Sequence, residues 1–427
     1  MPFKLLAVGD LHLGRVPSRL PTDLADDGRR YGPSAVLGRI VEHAIASGVD
    51  AVAFAGDVVE HDHDFFEAYR DLRDAVRKLL DAGIEVLAVA GNHDTLVLPR
   101  LADRLDGFDL VGRGGRWERR TLGEGSERVT LHGWSFPQRV VTASPLAGAR
   151  LERGAGPNLG LLHCDLDQAQ SRYAPVARAE LESAGLDGWL LGHIHKPDAL
   201  SAAAPLGYLG SATGLHPNEH GPRGPWLISI ANGRIEAVEQ LPLAPLHWEP
   251  LDVDLTGIAA AEDARDRLLE RIAALDEHLA ARAVPPDAVG LRVRFTGRSK
   301  RRADVERMLR AEHLDDVGTG TSARRYFVES AKVATAPEID LATLAQAPSP
   351  AGLLAKRLKL LERGPDDPER AALIRRARMR LGERRDKPYW RALDLGEPND
   401  EEIAGWLRDA GLAALDALLA QQSENAS

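Results

Sequence analysis

The chain has 427 residues, 44% of them hydrophobic, with 54 Lys+Arg against 64 Asp+Glu and a formal charge of −10. This is the composition of a soluble globular protein of two or three domains, and the acidic balance argues against a wholly basic nucleic-acid binder. No run approaches a membrane span, the N-terminus carries no cleavable signal pattern, and the single cysteine, Cys164, excludes a disulfide framework and a thiolate zinc cluster, which points to a reducing, cytoplasmic setting.

The apolar spacing predicts a buried strand over residues 3–8 that ends at Gly9-Asp10-Leu11-His12. A polar loop over 15–32 follows, then a helix with Ser34 before it and Val36, Leu37, Ile40, Val41 and Ala44 on one face, running out at Gly48. A second strand, 50–55, ends at Gly56-Asp57. Asp64 is placed to cap a helix over 65–82, with His61 and His63 as solvated loop residues. After Gly83 a third strand, 84–90, runs into Gly91-Asn92-His93-Asp94. Strands that alternate with helices predict a parallel α/β core.

Past Leu98 the pattern turns irregular, with Arg113, Arg116, Arg119 and Arg120 around a Gly-rich loop. Strands are then expected over 129–134, carrying His132, and over 159–162, ending at His163. After a helix near 177–184, a strand over 189–191 ends at Gly192-His193-Ile194-His195. Further strands are expected over 206–209 and 226–230, the latter turning through Asn232-Gly233 into 234–240. Residues 243–250 read as a Pro-marked connection. Beyond it a helix over 262–281, a strand over 289–295, a helix over 303–312 and a strand over 326–333 read as a small α/β module. Residues 346–350 read as a linker, and the chain from Leu353 onward as helical and charge-rich.

Five strand ends therefore carry candidate ligands: Asp10 and His12, Asp57, Asn92 and His93, His163, and His193 with His195. Carboxylate, imidazole and amide oxygen without sulfur suit Mn²⁺, Fe²⁺ or Zn²⁺ in open sites. The set is too large for one ion and natural for two, with Asp57 as the shared carboxylate. Taken singly, each of these residues is more often structural; their joint occurrence in this order is what points to a site. Cys164, Trp134, Trp189 and Trp226 read as core, and His132 as core or a partner of the ligands.

The series Asp10-x-His12, Gly56-Asp57, Gly91-Asn92-His93-Asp94, His163 and Gly192-His193-x-His195 resembles the signature of calcineurin-like metallophosphoesterases. Within that superfamily it is most similar to SbcD-type DNA repair exonucleases. Tyr173-Ala174-Pro175, Leu215-His216-Pro217 and Gly221-Pro222-Arg223-Gly224 resemble the YhaO-like branch. Val58-Val59-Glu60 departs from relatives that carry a bulky apolar residue and then Asp there. The resemblance implies a metallophosphoesterase β-sandwich flanked by helices over 1–248, a small α/β capping domain over 249–345 and a helical C-terminal region over 346–427. It implies that Asp10, His12, Asp57 and His195 hold one metal, that Asp57, Asn92, His163 and His193 hold the other, and that His93 stands beside the scissile phosphate. His216, His220 and Arg223 are expected substrate contacts.

The resulting expectation is a Mn²⁺-dependent DNA phosphodiesterase, an exonuclease in DNA repair, which attacks phosphorus with metal-activated hydroxide. The alternatives are a small-molecule phosphatase or cyclic-nucleotide phosphodiesterase of the same superfamily, and a non-catalytic subunit that binds DNA or an ATPase. Two basic clusters are candidate DNA surfaces: Arg298, Lys300, Arg301 and Arg302, and the run Lys356, Arg357, Lys359, Arg375, Arg376, Arg378, Arg380, Arg384, Arg385 and Lys387. A solvated charged helix explains the second equally well. By resemblance the C-terminal helices would dock an SMC-like coiled-coil ATPase, and the protein would form a homodimer.

Overall fold

A computed structural model describes residues 2–61, 65–203, 205–311, 323–336, 338–385 and 397–424. Its strands in chain order are β1 (Phe3–Val8), β2 (Ala51–Ala55), β3 (Glu85–Val89), β4 (Phe108–Leu110), β5 (Glu118–Leu122), β6 (Val129–Trp134) and β7 (Asn158–His163). There follow β8 (Gly188–Gly192), β9 (Leu206–Tyr208), β10 (Trp226–Ala231), β11 (Arg234–Gln240), β12 (Leu246–Asp254), β13 (Ala288–Thr296) and β14 (Arg325–Val333). The chain divides into two compact units: Met1–Val253, Arg265–Arg294 and Leu309–Lys332 form the first, and Asp254–Ala264, Phe295–Met308 and Val333–Ser427 the second.

In the first unit a six-stranded sheet, ordered β11-β10-β1-β2-β3-β4, faces a five-stranded sheet ordered β5-β6-β7-β8-β9. Neighbours β1 to β4 are parallel, as are β6 to β9. The two-residue period of each strand divides the core in two. Leu6, Val8, Val52, Phe54, Val86 and Ala88 point to the helices Pro33–Ala46 and Phe65–Asp81, meeting Val36, Ile40, Leu72 and Val76. Leu5, Ala7, Ala51, Ala53, Leu87 and Val89 point the other way, into a layer with Leu131, Leu159, Leu161, Leu190 and Ile228. Strands covered on both faces read as unbroken apolar runs, which is why β1, β2, β3, β7 and β8 stand out in the sequence. All five end at one edge, and the chemistry lies there.

The elements that differ from expectation are edge strands and short helices. Residues 97–122 are ordered: Val97–Ala102 is helical, β4 extends the first sheet and β5 the second. In β5 Arg119 lies on the exposed face, and Arg120 is drawn into an ion pair with Asp109, so the strand hides among charged residues. The loop over 15–32 holds a helix, Thr22–Ala25, and a short 3₁₀ turn, Gly28–Tyr31. The following helix begins at Pro33 with Gly32 as its cap, and the Ser34 hydroxyl donates to Asp71 instead of capping it. Residues 243–250 are not a connection throughout, since β12 starts at Leu246. Pro250 is tolerated because β12 is the edge of the three-stranded sheet β12-β13-β14 and the residue faces solvent. Asn232 and Gly233 both take positive φ, the backbone a type I′ hairpin needs.

In the second unit, Leu341–Leu344, Pro350–Leu361, Pro368–Arg385 and Asp400–Glu424 are helices around Ala351, Leu358, Leu361, Ile374, Ile403 and Leu415. The 346–350 stretch ends in the Ser349 cap, whose hydroxyl accepts from Gly352 N. His63, the Asp64 cap and Lys387 lie outside the described residues, as do the side chains of Arg384 and Arg385. No helix of the described residues is long and apolar enough to cross a membrane.

Candidate metal centre

The turns after β1, β2, β3, β7 and β8 converge. Past β1 and β2 the backbones stay zipped, with His12 N donating to Asp57 O and Leu13 N to Val58 O. Glycine makes the approach possible: a methyl group at Gly91 would collide with the Asp57 carboxylate, and one at Gly56 with the His163 ring. Asp10, His12, Asp57 and His193 all take positive φ, unusual for residues with a side chain. Backbone held in that region costs of order 1–3 kcal/mol per residue and clusters where function demands it.

The convergence produces two nests of donor atoms. Asp10, His12 and His195 can bring one ligand atom each within 4.8 Å of one another, and so can Asp57, His163 and His193. Asp57 stands between the nests, its Oδ2 4.0 Å from His12 Nε2 and 3.3 Å from His163 Nε2. Asn92 Oδ1 lies 3.1 Å from the same His163 nitrogen. All seven candidate ligands are thus in one place, and Asp10, His12, Asp57, Asn92 and His163 are buried.

Each of the four imidazoles has an acceptor beside its outer nitrogen, hydrogen-bonded for His195 and His163 and at ion-pair distance for His12 and His193. His12 Nδ1 meets Glu60 Oε2 at 2.6 Å, His195 Nδ1 meets Glu219 Oε1 at 2.9 Å, His163 Nδ1 meets Ala55 O at 3.1 Å and His193 Nε2 meets Asp165 Oδ1 at 3.3 Å. If those outer nitrogens carry the ring protons, the inner ones present lone pairs. His12 Nε2 then faces His195 Nε2 at 3.0 Å, and His163 Nε2 faces His193 Nδ1 at 3.2 Å. Lone pairs that close repel unless positive charge lies between them. Imidazoles turned inward by outer acceptors and surrounded by carboxylates form a fitting donor set for two divalent cations.

The electrostatics state the same demand. Burial would lower His163, but the Asp57 carboxylate outweighs it and holds the imidazole up at about 9. Asp57 is buried, yet His163, His12 and His93 keep its carboxyl far below the ordinary range. Glu60 falls to about 2, burial notwithstanding, through its bond to His12. Protons drawn to such sites are those a bound metal displaces.

His93 stands apart from the nests. Its backbone N–H donates to Asp57 Oδ1 at 2.9 Å and its Nδ1 lies 3.1 Å from Glu60 O, while the side chain is 32% exposed. His12, Glu60 and His93 also lie close enough to form a third cation group. That use would require His12 to offer lone pairs from both nitrogens, which a neutral imidazole cannot do. Asp94, left unassigned by sequence, is fully buried; it accepts from Val58 N at 2.7 Å and Gly91 N at 2.8 Å and so ties the β2 turn to the β3 turn. Burial and the nearby Asp57 push it up to about 7.

The three expected substrate contacts differ in burial. Arg223 is buried, and its guanidinium donates to the carbonyl oxygens of Glu219, His220 and His195, so it braces the loop. His216 is half-buried, with its Nδ1 accepting from Asn218 N at 3.1 Å. His220 is exposed. The residues sequence reasoning missed are Glu60, Glu219 and Asp165. Glu60 was visible only as the departure after Asp57, and nothing local marks Glu219 or Asp165. His132, bonded to Asn158, is core, as are Trp134, Trp189 and Trp226; the buried Cys164 thiol is pushed up by burial.

Residues 3–197 match the model of calcineurin-like phosphoesterases, and residues 248–336 that of the metallophosphoesterase YhaO middle domain. The chain is similar to the uncharacterized metallophosphoesterase YhaO of Bacillus subtilis, 28% identical over 243 residues that cover 52% of this chain and 55% of the relative. It is also similar to the DNA double-strand break repair protein Mre11 of Aeropyrum pernix, 28% identical over 286 residues that cover 64% of this chain and 68% of the relative. The chain therefore spans little more than half the length of the first of these. The solved structure of calcineurin-like phosphoesterase YfkN from Bacillus subtilis aligns over 65% of this chain and 98% of its own, at 14% identity and a TM-score of 0.35.

Proposed function

This chain carries a calcineurin-like metallophosphoesterase domain, residues 3–197, followed by a YhaO middle domain, residues 248–336, and from that premise we propose that it is a dinuclear-metal-dependent DNA phosphodiesterase, an exonuclease of DNA repair. The observation that carries the reading is the four imidazoles turned inward around Asp57 by acceptors on their outer nitrogens. Asp10, His12, Asp57 and His195 would hold one ion, and Asp57, Asn92, His163 and His193 the other. Mn²⁺ suits this oxygen and nitrogen set, which Fe²⁺ or Zn²⁺ could also fill.

When bound, two divalent ions neutralise phosphate oxygens and lower the pKa of a water toward ~7. The protein's own part is positioning and proton transfer. Asp57 and Asp10 fix the two nests, and His93, as imidazolium, stabilises the charge growing on the phosphate or protonates the leaving oxygen. Its Nδ1 is held by Glu60 O, so Nε2 is the nitrogen left for the substrate.

DNA as substrate is supported by the similarity to proteins named for double-strand break repair, which extends over more than half of this chain. The domain division at 1–248, 249–345 and 346–427, a homodimer and a cytoplasmic location belong to the same proposal. So does an SMC-like coiled-coil partner. In its favour, the second unit opens a groove between Pro368–Arg385 and Asp400–Glu424, where Trp406 is 52% exposed beside Leu373, Leu381 and Arg376. The first basic cluster supports DNA contact less, because Arg298 pairs with Asp416, Lys300 with Glu338, Arg301 with Asp304 and Arg302 with Glu306.

The test is incubation of purified protein and Mn²⁺ with end-labelled duplex DNA, single-stranded DNA or p-nitrophenyl esters. Stepwise shortening of DNA that requires His93 is the expected result. Ester cleavage without DNA cleavage would turn the assignment to a small-molecule phosphodiesterase, and inertness toward all three to a binding subunit.

A further inference from the structure

The two nests are not equivalent. On the Asp10 side both imidazoles are backed by side-chain carboxylates at short range, Glu60 on His12 at 2.6 Å and Glu219 on His195 at 2.9 Å. Glu219 is itself anchored, its other oxygen accepting from Leu215 N at 3.0 Å and Ser211 Oγ at 3.1 Å. Asp10 is anchored too, with both oxygens close to His193 N. On the Asn92 side the inner set offers a neutral amide, and His163 is backed only by the neutral Ala55 carbonyl at 3.1 Å. His193 has Asp165, but at 3.3 Å, and that carboxylate also accepts from the Ser171 hydroxyl.

A carboxylate behind an imidazole fixes its tautomer, aims its free nitrogen and raises its basicity toward a cation, and losing such a partner typically costs about 10–100-fold in metal affinity. Inner charge adds to this: Asp10 and the shared Asp57 face one nest, while the shared Asp57 alone faces the other. We propose that Glu60 and Glu219 are positioning residues that make the centre asymmetric, so that the ion held by Asp10, His12 and His195 binds first and more tightly, and the ion held by Asn92, His163 and His193 binds second and exchanges. The inference rests on the two-ion reading of the site. It also gives the departure at Glu60 a use: the carboxylate lies 2.6 Å from His12 Nδ1, whereas His93 Nδ1 bonds the backbone oxygen of the same residue at 3.1 Å and lies 3.9 Å from its carboxylate.

The experiment is calorimetric titration of the metal-free full-length chain with Mn²⁺ alone, which reads affinity and stoichiometry without reference to catalysis. Wild type should show two events. Glu60→Ala and Glu219→Ala should each weaken the tighter event by about 10–100-fold and leave the weaker one nearly unchanged. Glu60→Gln, whose amide oxygen can still accept from His12 Nδ1, should weaken the tighter event by only a few-fold. Asp165→Ala should affect the weaker event alone. Circular dichroism checks folding, and if an alanine variant does not fold, Glu60→Gln or Glu219→Gln is read in its place, each expected to weaken the tighter event by a few-fold. Wild-type protein that takes up no divalent ion would overturn the dinuclear reading itself. Two ions bound, with the tighter event unmoved by changes at Glu60 and Glu219 or with both events weakened equally, would overturn the asymmetry while leaving that reading in place.

Discussion

The strand-end site of the first unit and the helical second unit solve opposite problems. At the site, polar groups are buried where a partner matters most, and several partners can be named: Asp94 on Val58 N and Gly91 N, Glu219 on His195, Ala55 O on His163. In the helical unit the apolar side chains of the core, Leu358, Leu361 and Leu415, are buried, while Leu353, Met379 and Trp406 stay exposed. Burial of polar atoms admits few arrangements, whereas an amphipathic helix packs with many faces. The first region therefore states its chemistry, and the second states only that it has a core and an open groove.

This contrast can be broken by substitution. Asp57→Ala should abolish both Mn²⁺ binding events and DNA cleavage together, because it removes the carboxylate both nests share; metal analysis after dialysis, alongside the cleavage assay, checks it. One ion retained would mean that Asp57 is not shared. His93→Ala should lower kcat by about 10²-fold or more, the usual contribution of a general acid, while metal content stays at the wild-type level. Loss of metal in that variant would make His93 a ligand.

Stability effects come next. Leu415→Ala, at a fully buried site in the helical unit, should cost about 2–5 kcal/mol in denaturant unfolding of that unit and leave Mn²⁺ stoichiometry untouched. Gly91→Ala should cost about 1–3 kcal/mol by forcing a methyl group against Asp57 and should weaken Mn²⁺ as well, which tells a strained site from a merely strained fold. Trp406→Ser, at an exposed position, should change stability by less than about 0.5 kcal/mol. It should nevertheless weaken capture of a coiled-coil partner, if the groove serves one, and a partner bound equally well by the variant would place docking elsewhere.

What the sequence determined by itself is the inner half of the site. Buried strands have to be apolar throughout, so the first polar residue after each run, often past a glycine, is conspicuous. Asp10, Asp57, Asn92, His163 and His193 were readable for that reason. Edge strands β4, β5 and β12 were not, since one exposed face and Pro250 erase the apolar run. The outer half was decided by tertiary structure alone. Glu60, Glu219 and Asp165 follow no period, and each matters only because a folded turn carries it to the back of an imidazole. Arg223 shows the converse, a cation in a Gly/Pro loop that looked made for substrate yet is buried against three carbonyl oxygens. Local pattern records which residues must leave water; which of them then meet is set by the packing of two sheets, and that is long-range information.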